Sequence, residues 1–369
     1  MKLISPLLKH VVYPALSQTG YLRRRGGAGP AVVTYHGVLP VGYRIVDSAM
    51  DGSLVSADSF RGQLRLLRRS YNVISPEQFL QWCEDNQELP PRSVLLTCDD
   101  GLQNTLTDML PILQEAGLSC LFFITGASAQ DAPSMLWYEE LYLMFLAAAD
   151  SFILELPETD VRLPVDGRQQ KRSSWWELVK KLSQCDRTTR LSTLGRIREQ
   201  LGLSVTWRSE YTVDTARARR FLVLTAKQLR ELVAAGMSIG AHTLSHPMLS
   251  QSKEDAARDE IGGSLVSLQQ VLGRPVWAFA YPFGDPASVT PRDVSIAEQA
   301  GFRCAFVNVG GGFGAETPRF AIPRMHVTGE MSLAEFEAHL SGFYRSMRHR
   351  FAGDHETAFV TAHAQRVGN

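Results

Sequence analysis

Short apolar runs alternate with helix-periodic stretches along most of the chain. Ala31-Val32-Val33-Thr34-Tyr35 predicts a strand, and Ser59 to Ser70 predicts a helix with Phe60, Leu64 and Leu67 on one face. Ser93-Val94-Leu95-Leu96-Thr97 predicts a buried strand. Leu106 to Ala116 follows as a helix that Gly117 is suited to stop, and Leu118 to Thr125 as another strand. The alternation resumes after about residue 225. Leu229 to Ala235 reads as helix, Met237 to Ala241 as strand, Asp255 to Leu272 as a helix ended by Gly273, and Val276 to Ala280 as strand. Val294 to Ala300 is a predicted helix, Arg303 to Val307 and Phe320 to Val327 are predicted strands, and Leu333 to Tyr344 is a closing helix.

Repeated β–α units imply a parallel sheet with right-handed crossovers. The expected fold class is α/β, a distorted (β/α) barrel of about seven strands. An open doubly wound sheet is the competing arrangement. Both place chemistry at the C-terminal ends of the strands. Residues of about 130 to 225 break the pattern. They are rich in Trp, Leu and basic residues with helical periodicity, and carry Pro157 and Pro164. The expected organisation is therefore an N-terminal amphipathic arm at 1–29, a main domain at 30–345 interrupted by a mainly helical insertion at about 130–225, and a tail at 346–369.

Four predicted strand ends carry polar groups that a core does not need. They are Tyr35-His36-Gly37, Thr97-Cys98-Asp99-Asp100-Gly101, Gly240-Ala241-His242-Thr243-Leu244-Ser245-His246-Pro247, and Tyr281-Pro282-Phe283-Gly284. Adjacent residues at a strand end point in different directions, so one of the two aspartates is able to bind a metal while the other faces a substrate. Alone, Asp-Asp-Gly also reads as an ordinary turn. His242 and His246 lie four apart, a weak signal by itself among nine histidines. A metalloprotease helix would place Glu after the first His, where Thr243 stands, and Pro247 biases His246 away from helix. Two imidazoles and one carboxylate leave an open coordination position, which favours a catalytic site over a closed structural one.

Taken in order, these motifs resemble those of the polysaccharide deacetylases with a NodB-homology domain, carbohydrate esterase family 4. Thr97-Cys98-Asp99-Asp100-Gly101 resembles the first family motif, which usually has Phe at the Cys98 position. His242-Thr243-Leu244-Ser245-His246 matches the second, and Ala280-Tyr281-Pro282-Phe283-Gly284 matches the third in part. The resemblance covers roughly residues 30–125 and 225–330. It implies Asp99 as general base and Asp100, His242 and His246 as ligands of a divalent ion, zinc first, with Co2+, Ni2+ or Fe2+ as alternatives. It also implies that the backbone N–H of Phe283 helps hold an oxyanion, with Tyr281 and Pro282 shaping the same substrate loop.

Two departures stand out. The third-motif arginine is replaced by Ala280, and Arg324 is the candidate to supply its charge from another strand. The general-acid histidine of the family's late motif is not plainly present, which leaves His326 and His36 as candidates. The implied activity is removal of N-acetyl groups from amino sugars of a polysaccharide or lipid-linked glycan, in exopolysaccharide or cell-envelope synthesis. The rival readings are a deformylase of a lipid-linked amino sugar and a degenerate homologue that only binds glycan.

Composition narrows the partners. Lys+Arg and Asp+Glu balance at 38 each, so nothing points to nucleic acid, and a carbohydrate is the expected partner. Five scattered cysteines without a CxxC pair argue against a disulfide scaffold and fit a reducing compartment. Pro6, Lys9, His10 and Pro14 interrupt the N-terminal apolar stretch, which makes it poor as a signal peptide. A cytoplasmic location is expected. With Arg23-Arg24-Arg25 the arm suits either a helix packed on the domain or peripheral contact at the inner membrane.

Overall fold

The computed structural model describes residues 4–352 apart from 26–28, 86, 130, 131, 133, 150, 151 and 157–160. Parts of the predicted arm and insertion, Pro157, and most of the 346–369 tail thus lie outside the described residues.

The strands are β1 (Ala31–Tyr35), β2 (Asn72–Ile74), β3 (Ser93–Cys98), β4 (Leu121–Ile124), β5 (Phe152–Leu156), β6 (Val161–Val165), β7 (Ser238–Ala241), β8 (Ala278–Ala280), β9 (Cys304–Val307), β10 (Ile322–Pro323) and β11 (Met325–His326). The main sheet runs β10-β9-β8-β7-β4-β3-β1-β11, with β2 on the side of β3. All its pairings are parallel. Only Arg324 separates β10 from β11. Pro323 pairs with Val307 on β9 and Met325 with Val33 on β1, so one extended segment touches both edges of the sheet and nearly closes a barrel. Counted once, that segment makes the barrel seven-stranded.

Every residue of β1, β3, β4 and β9 is buried, as expected for parallel strands covered on both faces. Alternate side chains serve two cores. Val32, Leu95, Phe123, Ala280 and Phe306 fill the barrel interior. Val33, Leu96, Phe122, Phe279 and Val307 face the outer helices, where they meet Leu64, Leu113, Leu229 and Leu268.

The helix Ala57–Ser70 is capped by Ser56, whose hydroxyl accepts from the Ser59 N–H at 3.1 Å, and it buries Phe60, Leu64 and Leu67. Gly117 (φ 63°) and Gly273 (φ 64°) end their helices in the left-handed conformation predicted for them.

The structure departs from the sequence expectation in four places. β2 has only three residues and no readable alternation. The helix expected from Leu106 begins as a π-helical turn at Thr105–Met109. The closing helix breaks at Gly342 (φ 70°) into Leu333–Leu340 and Phe343–Ala352. Within the insertion, β5 and β6 form an antiparallel hairpin, and Pro164 sits on it.

The insertion has its own apolar core, built around Leu141, Phe145, Leu154, Leu178 and Ile197. It is tied to the barrel by Arg220. This fully buried side chain donates to Asp51 at 2.7 Å, to Glu139 at 2.8 and 3.2 Å, and to the Met50 carbonyl at 3.0 Å. Burial alone would lower its pKa, but the two carboxylates outweigh that and hold the guanidinium charged. At the N-terminus, Tyr13 and Leu22 pack against Ala338 and Phe343 of the closing helices. Among the described residues no helix is long and apolar enough to cross a membrane, and all five cysteines are free thiols.

Candidate active site

The C-terminal ends of β1, β3, β7, β8 and β9 converge on a cavity of ≈ 170 Å³. Backbone strain is concentrated there. Five described non-glycine residues have positive φ, and four of them are Asp100 (75°), Thr243 (61°), His246 (58°) and Phe283 (61°). Such conformations persist only where the surroundings enforce them.

The loop after β7 shows how. The Thr243 hydroxyl accepts from the His246 N–H at 2.9 Å. The Ser245 N–H donates to Glu260 at 2.7 Å, and the Ser245 hydroxyl bonds the same carboxylate. Leu244 lies where a Cβ on Gly126 or Gly263 would come within 2.6 Å of it, so two glycines make room for its side chain.

This loop brings His242 and His246 to Asp100. Asp100, His242 and His246 are all buried, and one ligand atom from each lies within 4.8 Å of the others. Asp100 Oδ1 is 3.6 Å from His242 Nε2 and 3.4 Å from His246 Nε2, and it makes no hydrogen bond. His242 Nδ1 stands 2.7 Å from the Ala280 carbonyl. Donation of Nδ1–H to that oxygen fixes the tautomer with Nε2 free to bind a metal. Burial pushes the His242 pKa down to about 4, which keeps the ring neutral. Burial would raise the Asp100 carboxyl, but the neighbouring imidazoles outweigh it and hold the group ionised. A buried, unpaired carboxylate oxygen facing two imidazole nitrogens fits a divalent cation.

Asp99 turns to the other side. Arg324 grips it with Nη1–Oδ1 and Nη2–Oδ2 both at 2.7 Å, and Nη1 also reaches the Thr34 hydroxyl at 3.1 Å. The guanidinium lies over Phe123 and Phe306, 5.3 and 6.0 Å from the ring centres, inside the barrel. Burial would raise the Asp99 pKa, but Arg324 and then His242 lower it overall, so the carboxylate is charged.

The two candidate acids stand together, their ring centres 4.8 Å apart. Only His36 lines the cavity. His326 lies behind it, its pKa pushed down to about 3 by burial and by His36. Phe283 lines the cavity, 5.0 Å from the His246 ring. Tyr281 does not. Its ring packs in the core between the sheet and the outer helices and its hydroxyl donates to the Phe320 carbonyl at 3.1 Å, so its place in the substrate loop needs correction: the strand period turns it to the same side as Phe279. Pro282 is also absent from the cavity wall.

Several contributors were not read from the sequence. Met50 comes from the one-turn helix Ser48–Asp51, Ser53 and Leu54 from the segment just after it, and Asn308 follows β9. A polar residue just past a strand end was the available signal for Asn308. The insertion's aromatics divide: Tyr138 and Trp175 line the cavity, whereas Trp137, Trp176 and Trp207 pack with the insertion's own apolar side chains.

Gly37 bears on the frame of the site. Its φ is 122°, and a Cβ there would come 2.1 Å from Oδ1 of the fully buried Asn104. Gly37→Ala is expected to destabilise the protein by about 2–5 kcal/mol, the sum of backbone strain and overpacking. A lower urea midpoint at unchanged slope would show it, and a wild-type midpoint would refute it.

A parallel barrel whose strand ends gather a carboxylate–guanidinium pair beside an Asp–His–His cluster defines a hydrolase. Residues 86–141 and 205–305 of the chain match the polysaccharide deacetylase family. It is a carbohydrate de-N-acetylase. Among solved structures it is similar to the deacetylase PplD of Streptococcus pyogenes in complex with acetate, at 16% identity and TM-score 0.53, covering 85% of this chain and 98% of that one. It is also similar to IcaB from Ammonifex degensii, at 19% and 0.51, covering 85% and 98%. A de-N-acetylase from Aggregatibacter actinomycetemcomitans matches at 14% and 0.53, covering 84% and 99%. At these identities the likeness is one of fold. Among curated proteins no sequence matches.

Proposed function

We propose that this is a metal-dependent hydrolase that frees the amine of an N-acetylated amino sugar in exopolysaccharide or cell-envelope synthesis. The observation that carries the reading is the unpaired Asp100 oxygen facing His242 and His246 inside the cavity. Those three residues would hold the ion, zinc first. Bound there, it would supply Lewis-acid polarisation of the acetamide oxygen and a more acidic water.

The remaining work falls to the chain. Asp99, on the cavity wall, takes the proton from the attacking water. Both Asp99 oxygens bond Arg324, but each keeps a further lone pair for that proton. Arg324 fixes the carboxylate's plane and keeps it ionised. The backbone N–H of Phe283 stabilises the developing oxyanion. His36, which faces the cavity, protonates the departing amine, with His326 packed behind it. The products are acetate and a free amino sugar.

Purified protein treated with chelator is expected to lose at least about 100-fold in acetate release and to recover on Zn2+ addition. The substrate is an N-acetylglucosamine oligosaccharide. Undiminished activity with no bound metal would refute metal dependence. Formate release from an N-formylated sugar, with no acetate from the acetylated one, would instead make the chain a deformylase.

A further inference from the structure

Two segments of the cavity wall are clamped to each other. Met50 and Leu54 form one lip, and Glu139 and Trp175 of the insertion form the other. Arg220 bonds both, through Glu139 on one side and the Met50 carbonyl and Asp51 on the other. Its fully buried charge would lose one of its two carboxylates if the lips parted, so separation is disfavoured. The Trp175 indole N–H is fixed by the Tyr138 carbonyl at 2.7 Å. Asn308 and His36 stand at two further strand ends around the rim.

The volume of ≈ 170 Å³ is below the range of about 300–1,000 Å³ typical of ligand pockets, which leaves room for roughly one sugar ring. A glycan threaded through the site would need two open ends, and Arg220 closes the wall between the Met50–Leu54 segment and the insertion. Glu139 stays on the wall with lone pairs left over from Arg220, placed to accept from sugar hydroxyls.

We infer that the site admits a single terminal N-acetylated sugar, at the end of a glycan or on a carrier, and excludes internal units of a polymer. This rests on the deacetylase reading above.

The test uses the full chain loaded with Zn2+. Substrates are an N-acetylglucosamine pentasaccharide and N-acetylglucosamine joined to a lipid diphosphate, and tandem mass spectrometry locates each lost acetyl group. The expected result is loss from one terminal unit only, with kcat/KM per molecule unchanged between tri- and pentasaccharide. The faster substrate identifies the source of that terminal sugar. Trp175→Ala, which removes part of one lip, is expected to add internal deacetylation. Deacetylation of internal units by the wild type, or kcat/KM rising with chain length, overturns the inference and leaves the deacetylase reading intact. No acetate from either substrate or from polymeric chitosan precursors, with metal bound, overturns both.

Discussion

Asp99→Asn is expected to lower kcat for acetate release by about 10²–10⁴-fold while the metal content of the protein stays at the wild-type level. The split follows from the directions of two neighbouring side chains. Asp100 faces His242 and His246 with its free oxygen, whereas Asp99 faces Arg324 and the cavity. Asn at position 99 still accepts one hydrogen bond from Arg324 through its amide oxygen, but it cannot take a proton from water. It does leave the buried guanidinium without its counter-charge. The Thr34 hydroxyl and the faces of Phe123 and Phe306 soften that loss without replacing the carboxylate. Rates should therefore be read well below the variant's unfolding temperature, with bound metal as the control. Full activity in a folded variant would remove Asp99 from the role of base. Loss of activity together with loss of metal would mean that the two aspartates share the ion.

What the chain discloses beforehand depends on how local each cause is. β1 and β3 are legible because both faces of each are covered, which leaves unbroken apolar runs ended by polar residues. For the same reason His36, Asp99, Asp100 and His242 stand out at strand ends. Arg324 was a candidate because the motif arginine is missing at Ala280 and the residues around Arg324 read as another strand. Its position as the single residue between β10 and β11 is a property of the closed barrel, and nothing within a few residues of it encodes that closure. Tyr281 failed for the opposite reason. As part of a motif it reads as substrate-facing, but the turn that buries it under the outer helices depends on where β8 ends, one residue earlier. The left-handed backbone at Asp100, Thr243, His246 and Phe283 has no local signature, since none of the four is glycine. It is imposed by contacts from distant parts of the chain, such as Glu260 on the helix Glu254–Leu272. The cavity wall from residues 50–54 comes from a one-turn helix and the segment after it, too short to show periodicity.

Replacing Arg324 by Met should destabilise the protein by about 3–5 kcal/mol, because it strands the buried Asp99 charge rather than because it removes a favourable pair. The two causes make opposite predictions for a second substitution. If the pair itself were the source of stability, adding Asp99→Asn to Arg324→Met would change little or cost more. If the stranded charge is the source, the double variant should be more stable than Arg324→Met alone, so a substitution that destabilises the wild type becomes stabilising in the variant background. The geometry supports the second outcome: Arg324 and Asp99 are both almost fully buried, and among the described residues the hydrogen bonds to the Asp99 carboxylate come from Arg324. Urea midpoints of the four proteins at one pH, with slopes checked for constancy, measure the coupling directly. Arg324→Lys extends the comparison. It restores a charge but not the planar two-pronged grip on Oδ1 and Oδ2, so part of the stability should return while kcat stays low. Recovery of kcat in step with stability would mean that Arg324 serves the base only as a counter-charge and that the orientation of its fork is immaterial.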